Sequence, residues 1–190
     1  MHSTAEKLKF FAEFLRSPRN VGSVIPTSSR VIAEALGKVD WETTDLFVEY
    51  GPGMGTFTRP ILERLRPDAR LIAIDPCASF IAHLRSDIRD PRLTLIEGSA
   101  ADVETILETQ AQGRRADYIL SGLPFSTLPE GVGPAIMAAT ARALRPGGAF
   151  IVYQYSQYVL PMLRANFASV DRSKIWINIP PCELFVAHKG

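Results

Sequence analysis

The 190-residue sequence has only two cysteines, three histidines and no apolar run approaching the ~20 residues a membrane-crossing helix needs. Cys77 and Cys182 lie far apart without metal-type spacing, and read as reduced cytosolic thiols rather than a disulfide framework. His2, His83 and His188 are isolated, which leaves no metal-ligand cluster. Lys7 and Lys9 interrupt the apolar stretch that an N-terminal secretion signal requires. Net charge is scarce too, at +1 from 21 basic and 20 acidic residues. With 46% hydrophobic and 22% charged residues, wholesale disorder is excluded, and the length suits one globular domain, at most with a short appendage.

That small net charge hides an uneven distribution. Residues 1–30 carry +3, residues 142–190 carry +4, and the stretch between them carries −6. Basic ends around an acidic middle suit an anionic partner, although each residue taken singly also reads as an ordinary solvated charge.

Residues 4–16 have helical periodicity, with Leu8, Phe10, Phe11, Phe14 and Leu15 on one side and Glu6, Lys9, Glu13 and Arg16 on the other. Ser17-Pro18 ends this helix and a loop follows to Pro26. Thr27 or Ser28 then caps a second helix that Gly37 stops. Beyond it strands and helices alternate. Strands are expected over 46–50, 70–74, 93–97, 116–120 and 149–155. The intervening helices cover 56–65, 78–88, 103–110 and 134–144, the last stopped by Pro146-Gly147-Gly148. Such alternation predicts an α/β, doubly wound parallel sheet covered by helices on both faces. A helix over 158–167 and two consecutive strands over 170–179 and 183–188 change the rhythm, and predict a terminal antiparallel pair.

The sharpest motif is Glu49-Tyr50-Gly51-Pro52-Gly53-Met54-Gly55. A strand ends, three glycines alternate, and a helix begins, at the edge of the sheet where doubly wound folds bind ligands. Dinucleotide enzymes use G-x-G-x-x-G, which seats a pyrophosphate at the helix N-terminus. Here the spacing is G-x-G-x-G and Glu49 precedes it. A carboxylate there disfavours a pyrophosphate and suits a cationic amino acid moiety. Asp75, closing the second strand in LIAIDP, is placed to grip two ribose hydroxyls. A ribose and a charged amino acid together describe S-adenosylmethionine.

EYGPGMGTFT, AIDP, SGLPF and LRPGGAFIVYQY, in this order and spacing, resemble the class I S-adenosylmethionine-dependent methyltransferases over about residues 44–190. The resemblance implies a seven-stranded, mostly parallel sheet with an antiparallel last pair. It implies that Gly51, Gly53 and Gly55 line the methionine portion of S-adenosylmethionine, with Glu49 near its ammonium and Asp75, followed by Pro76, at the ribose. Relatives often carry Gly-Asp-Ala after the third strand, with the acid at the adenine amine. This chain has Gly98-Ser99-Ala100, so the resemblance implies the contact for Ser99, or for Asp102 in its place, which reads equally as the cap of the following helix.

The segment after the fourth strand bears on the methyl acceptor. Methyltransferases of adenine N6 carry Asn-Leu-Pro-Tyr or similar there, and this chain has Ser121-Gly122-Leu123-Pro124-Phe125. Gly122 removes the amide that would hold a flat amino-purine. A small primary amine held by the carbonyls of Gly122 or Leu123 is the alternative, and a plain tight exit from the strand is the bland one. Tyr153, Tyr155 and Tyr158 flank the end of the fifth strand, where their rings either hold a methylated ammonium or serve as ordinary strand residues.

FFAEFLRSPRNVGSVIPTSSR, SGLPF and NIPPCELFVAHK extend the resemblance to the bacterial phospholipid N-methyltransferases, which convert phosphatidylethanolamine stepwise to phosphatidylcholine. In that family the first helix lies on anionic membrane and the next segment closes over the active site. This implies residues 1–36 as membrane-binding cover and 37–190 as the donor-binding domain, peripheral on the inner face of the cytoplasmic membrane. Catalytic candidates are Ser121, Gly122, Leu123, Tyr153 and Tyr155. Donor candidates are Glu49, Gly51, Gly53, Gly55, Asp75, Pro76, Gly98, Ser99, Ala100 and Ser121. Substrate candidates are Arg19, Phe125, Tyr158, Arg164 and Lys174, with Arg19, Arg164 and Lys174 for a lipid phosphate. No metal is called for. An ornithine lipid is a close variant acceptor. An RNA adenine methyltransferase, or a cofactor-binding protein without catalysis, are competing readings; Gly122 and the lack of a C-terminal helical RNA-binding domain weigh against nucleic acid.

Overall fold

The computed structural model describes residues 28–176 and 181–190. The expected helix over 4–16, the loop with Arg19, Thr27, and the stretch 177–180 lie outside them. Strands β1 (Leu46–Tyr50), β2 (Arg70–Asp75), β3 (Leu93–Glu97), β4 (Ala116–Ser121) and β5 (Leu144–Gln154) are parallel. β6 (Ser169–Ile175) and β7 (Cys182–His188) form an antiparallel hairpin whose second strand joins β5. The seven-stranded order is β3-β2-β1-β4-β5-β7-β6. β1 is buried at all five positions, as a central strand covered on both faces must be.

Helices α1 (Ser29–Leu36), α2 (Thr58–Arg64) and α3 (Ala78–Asp87) cover one face, and α4 (Val103–Gln110), α5 (Val132–Ala143) and α6 (Leu160–Asn166) the other. Val31, Leu36, Ile61 and Leu62 pack with Phe47, Leu71, Leu120 and Ile151 on the first side, where Ile88 at the end of α3 joins them. Ile106, Leu107, Ile136, Met137 and Leu163 pack with Val48, Tyr50, Ile119 and Phe150 on the second. The period-two alternation of the strands sorts these two sets. Ser28 caps α1, its Oγ accepting from Val31 N at 3.4 Å, and Gly37 closes it through Ala33 O at 2.8 Å.

The structure departs from the sequence expectation around Pro146-Gly147-Gly148. These residues lie inside β5, which begins at Leu144, directly after α5. Gly147 N donates to Lys189 O and Lys189 N to Gly148 O, so the segment stays in the ladder. A register shift between Ala116 and Tyr118 absorbs the irregularity. A Cβ on Gly148 would come within 2.8 Å of Asp117 O, so only glycine lets the strands pass this closely. Helix α5 also starts two residues earlier than expected, at Val132, because Gly131 turns the chain in the left-handed region. Pro134 then sits in its first turn, where no amide hydrogen is required.

At the amino edge of the sheet, Asp117 accepts from Asp45 N at 2.9 Å and Leu46 N at 2.8 Å, and pairs with Arg145. This staple fixes where β1 begins. The opposite, carboxyl edge gathers the turns after β1, β2, β3, β4 and β5, the end of β6 and the start of β7.

Candidate methyl-donor site

The turn after β1 is built from main-chain bonds. Gly51 N donates to Ile74 O, and Gly55 N closes a turn on Pro52 O. Gly51 and Gly53 have φ of 67° and 53°, conformations that side chains oppose. The same turn presents Gly53 N to Asp75 Oδ2 at 3.2 Å, while Cys77 N donates to Oδ1 at 2.9 Å. Asp75 is therefore held rigidly at the end of β2, 3% exposed, with one lone pair left on each oxygen. Burial raises its pKa, against the lowering effect of the Cys77 and Gly53 amides.

Glu49 lies two residues before the turn and is 2% exposed. Its Oε2 accepts from Thr58 Oγ at 2.7 Å, on the first turn of α2. Burial pushes its pKa up to about 8, helped by the neighbouring Asp75 charge and opposed by the Thr58 bond. Among the described residues no ion pair involves Glu49 or Asp75. Two buried carboxyls without a cation, beside a turn of three glycines, suit a ligand carrying a positive charge and vicinal hydroxyls. They offer a diphosphate no cation to neutralise it. S-adenosylmethionine has the chemistry this set accepts.

Gly98 N is tied to Asp75 O at 3.1 Å, which brings the third loop beside the second. Ser99 Oγ accepts from Ala101 N at 3.1 Å and so caps a short turn; Ala100 is buried beneath it and Pro76 is half-buried. Ser121 is fully buried, and its Oγ accepts from Leu123 N, so the hydroxyl shapes the turn after β4. Leu123 O already accepts from Phe125 N at 3.0 Å and Gln154 Nε2 at 2.7 Å. With both lone pairs used, Leu123 is a poor amine holder, and Gly122 is left as the main-chain candidate.

At Gly122 three strands meet. A Cβ there would stand 2.9 Å from the Tyr153 hydroxyl oxygen and 3.3 Å from Gly51 O. The Tyr153 ring is steadied by Phe57, at 5.0 Å between centroids. Phe125, expected at the substrate, is 2% exposed, in the core with Val132, Ile136 and Leu163. Tyr155 and Tyr158 are exposed at the same edge, and Arg164 is exposed on α6. Lys174 is 3.9 Å from Glu183, which Arg172 also holds through two bonds. Sequence reading missed Thr58, Phe57 and Gln154, which orient Glu49, Tyr153 and Leu123. The only signal for them was their place immediately after the glycine turn or at the end of β5.

Residues 47–148 match the family described as a methyltransferase domain. The chain belongs to that family. This methyltransferase is 28% identical over 142 residues to the ornithine lipid N-methyltransferase of Singulisphaera acidiphila, covering 74% of this chain and 73% of that one. It is 37% identical over 84 residues to the ribosomal RNA small subunit methyltransferase A of Caulobacter vibrioides, covering 43% of this chain and 30% of that one. The chain thus spans less than a third of that RNA enzyme's length. Its fold resembles the Burkholderia thailandensis 1,6-didemethyltoxoflavin-N1-methyltransferase, solved with S-adenosylhomocysteine, at a TM-score of 0.69 and 15% identity, covering 100% of this chain and 91% of that one. The methyltransferase has the class I fold, and S-adenosylmethionine is its methyl donor.

Proposed function

We propose that this methyltransferase acts on the primary amine of a membrane amino-lipid, taking phosphatidylethanolamine towards phosphatidylcholine, with an ornithine lipid as the variant acceptor. The observation that carries the reading is Gly122. Where a side-chain amide would hold a planar base, there is none, and the Tyr153 hydroxyl stands over the position instead. Such a position, bounded by oxygens and lacking a side-chain amide, favours an aliphatic amine over a planar base.

S-adenosylmethionine supplies an electrophilic methyl group when bound. Asp75 would grip its hydroxyls and Glu49 would answer its ammonium. The acceptor amine must arrive neutral, and partial desolvation at this edge favours that form. The Gly122 carbonyl and the Tyr153 oxygen would then accept its N–H groups and aim the lone pair, so the chain contributes mainly orientation. The similarity to an ornithine lipid N-methyltransferase supports both the nitrogen and the lipid. The protein would work at the inner face of the cytoplasmic membrane, on an anionic surface. Among the described residues no helix is long and apolar enough to cross a bilayer, which leaves a peripheral arrangement as the one this reading uses. Lipid mass spectrometry of a host lacking phosphatidylcholine, expressing the full chain, tests this. Mono-, di- or trimethylated amino-lipids are expected; an unchanged lipid profile in cells holding folded protein contradicts it.

The similarity to ribosomal RNA methyltransferase A supports a second reading, methylation of an adenine amine. Gly122 argues against it.

A further inference from the structure

Four large hydrophobic side chains are exposed among the described residues: Met54 at 54%, Tyr155 at 43%, Tyr158 at 59% and Trp176 at 70%. They come from three separate stretches of sequence, yet all lie at the carboxyl edge of the sheet. Met54 is in the turn after β1, Tyr155 and Tyr158 follow β5, and Trp176 follows β6. Ile175 pairs with Cys182, and Gln154 with the next residue, Glu183, so Trp176 and Tyr155 leave the ends of the two strands that flank β7. The amino edge carries ion pairs instead, Asp45 with Arg66, Asp90 with Arg92 and Asp117 with Arg145.

On the β5–β7 side Lys174 sits with its ammonium 4.1 Å from the centre of the Trp176 ring. Its acidic neighbour Glu183 is buried and also held by Arg172, while Glu130, just before α5, is exposed. On the β2–β3 side the exposed groups are acidic, Glu97 and Asp102. Aromatic rings with a polar tip, beside the cationic Lys174, match the water–hydrocarbon boundary of an anionic bilayer. A protein partner would be met by a contiguous apolar centre, not rings spaced along a rim.

We propose that the carboxyl edge over β4–β7 is the face this protein lays on an anionic membrane, with Tyr155, Tyr158 and Trp176 in the interface and Lys174 at the head groups. The inference deepens the amino-lipid reading and rests on it in one respect: the acceptor position at Gly122 opens at this edge, so an amine reaches it while acyl chains stay in the bilayer.

The chain has two tryptophans. The other, Trp41, stacks on Phe47 5.6 Å away, and Trp41→Phe keeps that stacking. The full-length Trp41→Phe protein therefore reports on Trp176 alone. It is mixed with phosphatidylcholine vesicles, with or without phosphatidylglycerol, some carrying brominated chains. The expected result is a blue-shifted emission and bromine quenching that require phosphatidylglycerol. Trp176→Ser with Tyr158→Ser should lower vesicle partitioning roughly tenfold or more at an unchanged melting temperature, from the apolar area lost. Absence of vesicle binding, or binding that leaves Trp176 emission unchanged, overturns the proposal; the second result would assign docking to another surface, such as residues 1–27. Docking through Trp176 without any lipid methylation supports the face and counts against the amino-lipid reading. Methylation of detergent-dispersed amino-lipid with no Trp176 response does the reverse.

Discussion

Asp75 and Glu49 divide the donor site between them, and each yields a distinct prediction. Asp75→Ala removes charge-assisted bonds worth about 1.5–3 kcal/mol each, so calorimetry should show much weaker S-adenosylmethionine binding. Glu49 behaves differently because its pKa is raised to about 8. Below that pH the carboxyl of the free protein is protonated, and it must lose a proton to answer a cation. Donor affinity should therefore rise with pH up to about 8, with proton release on binding. The unfolded chain ionises this group at an ordinary carboxylate pKa, so the ligand-free protein should lose stability as pH climbs from that range to about 8. Glu49→Gln should flatten both profiles, measured by calorimetry and by melting curves across pH. At the acceptor, Tyr153→Phe should raise the KM for lipid with donor affinity unchanged; equal lipid KM values would show that the hydroxyl does not position the amine. The glycines and both carboxylates were legible in the sequence because their spacing is local. Thr58, Gln154 and the burial of Phe125 were not, since each depends on which strands come side by side.

At the level of elements, the alternation of strands and helices and the terminal antiparallel pair could be read from periodicity. The misplaced start of β5 has a physical cause. Pro-Gly-Gly ordinarily breaks a chain, but here bonds to Lys189, far along the sequence, keep it in the sheet. Long-range pairing overrode a local signal. The Asp117 staple was equally invisible, because it joins β4 to the start of β1 and to Arg145. Asp117→Ala would leave the Asp45 and Leu46 amides without their partner, at about 1–3 kcal/mol for the buried Leu46 donor and less for the half-buried Asp45 one. The melting temperature should fall while S-adenosylhomocysteine affinity in the folded protein holds, since the staple lies at the edge opposite the donor site.

Across the described residues, the exposed aromatic side chains fall at one edge with Lys174 beside them, which a net charge of +1 does not reveal. An interaction with anionic lipid that depends on such a surface is screened by salt, with a Debye length of about 8 Å at physiological ionic strength. Raising salt, or omitting phosphatidylglycerol from vesicles, should lower activity on lipid while leaving donor affinity unchanged. The measurement that bears most directly on the account is transfer of labelled methyl from S-adenosylmethionine by the full chain, offered vesicles of phosphatidylethanolamine or ornithine lipid with phosphatidylglycerol alongside unmethylated ribosomal RNA. Label in the lipid, lost in Asp75→Ala, is the predicted result. Label in the RNA with the lipid inert would contradict it.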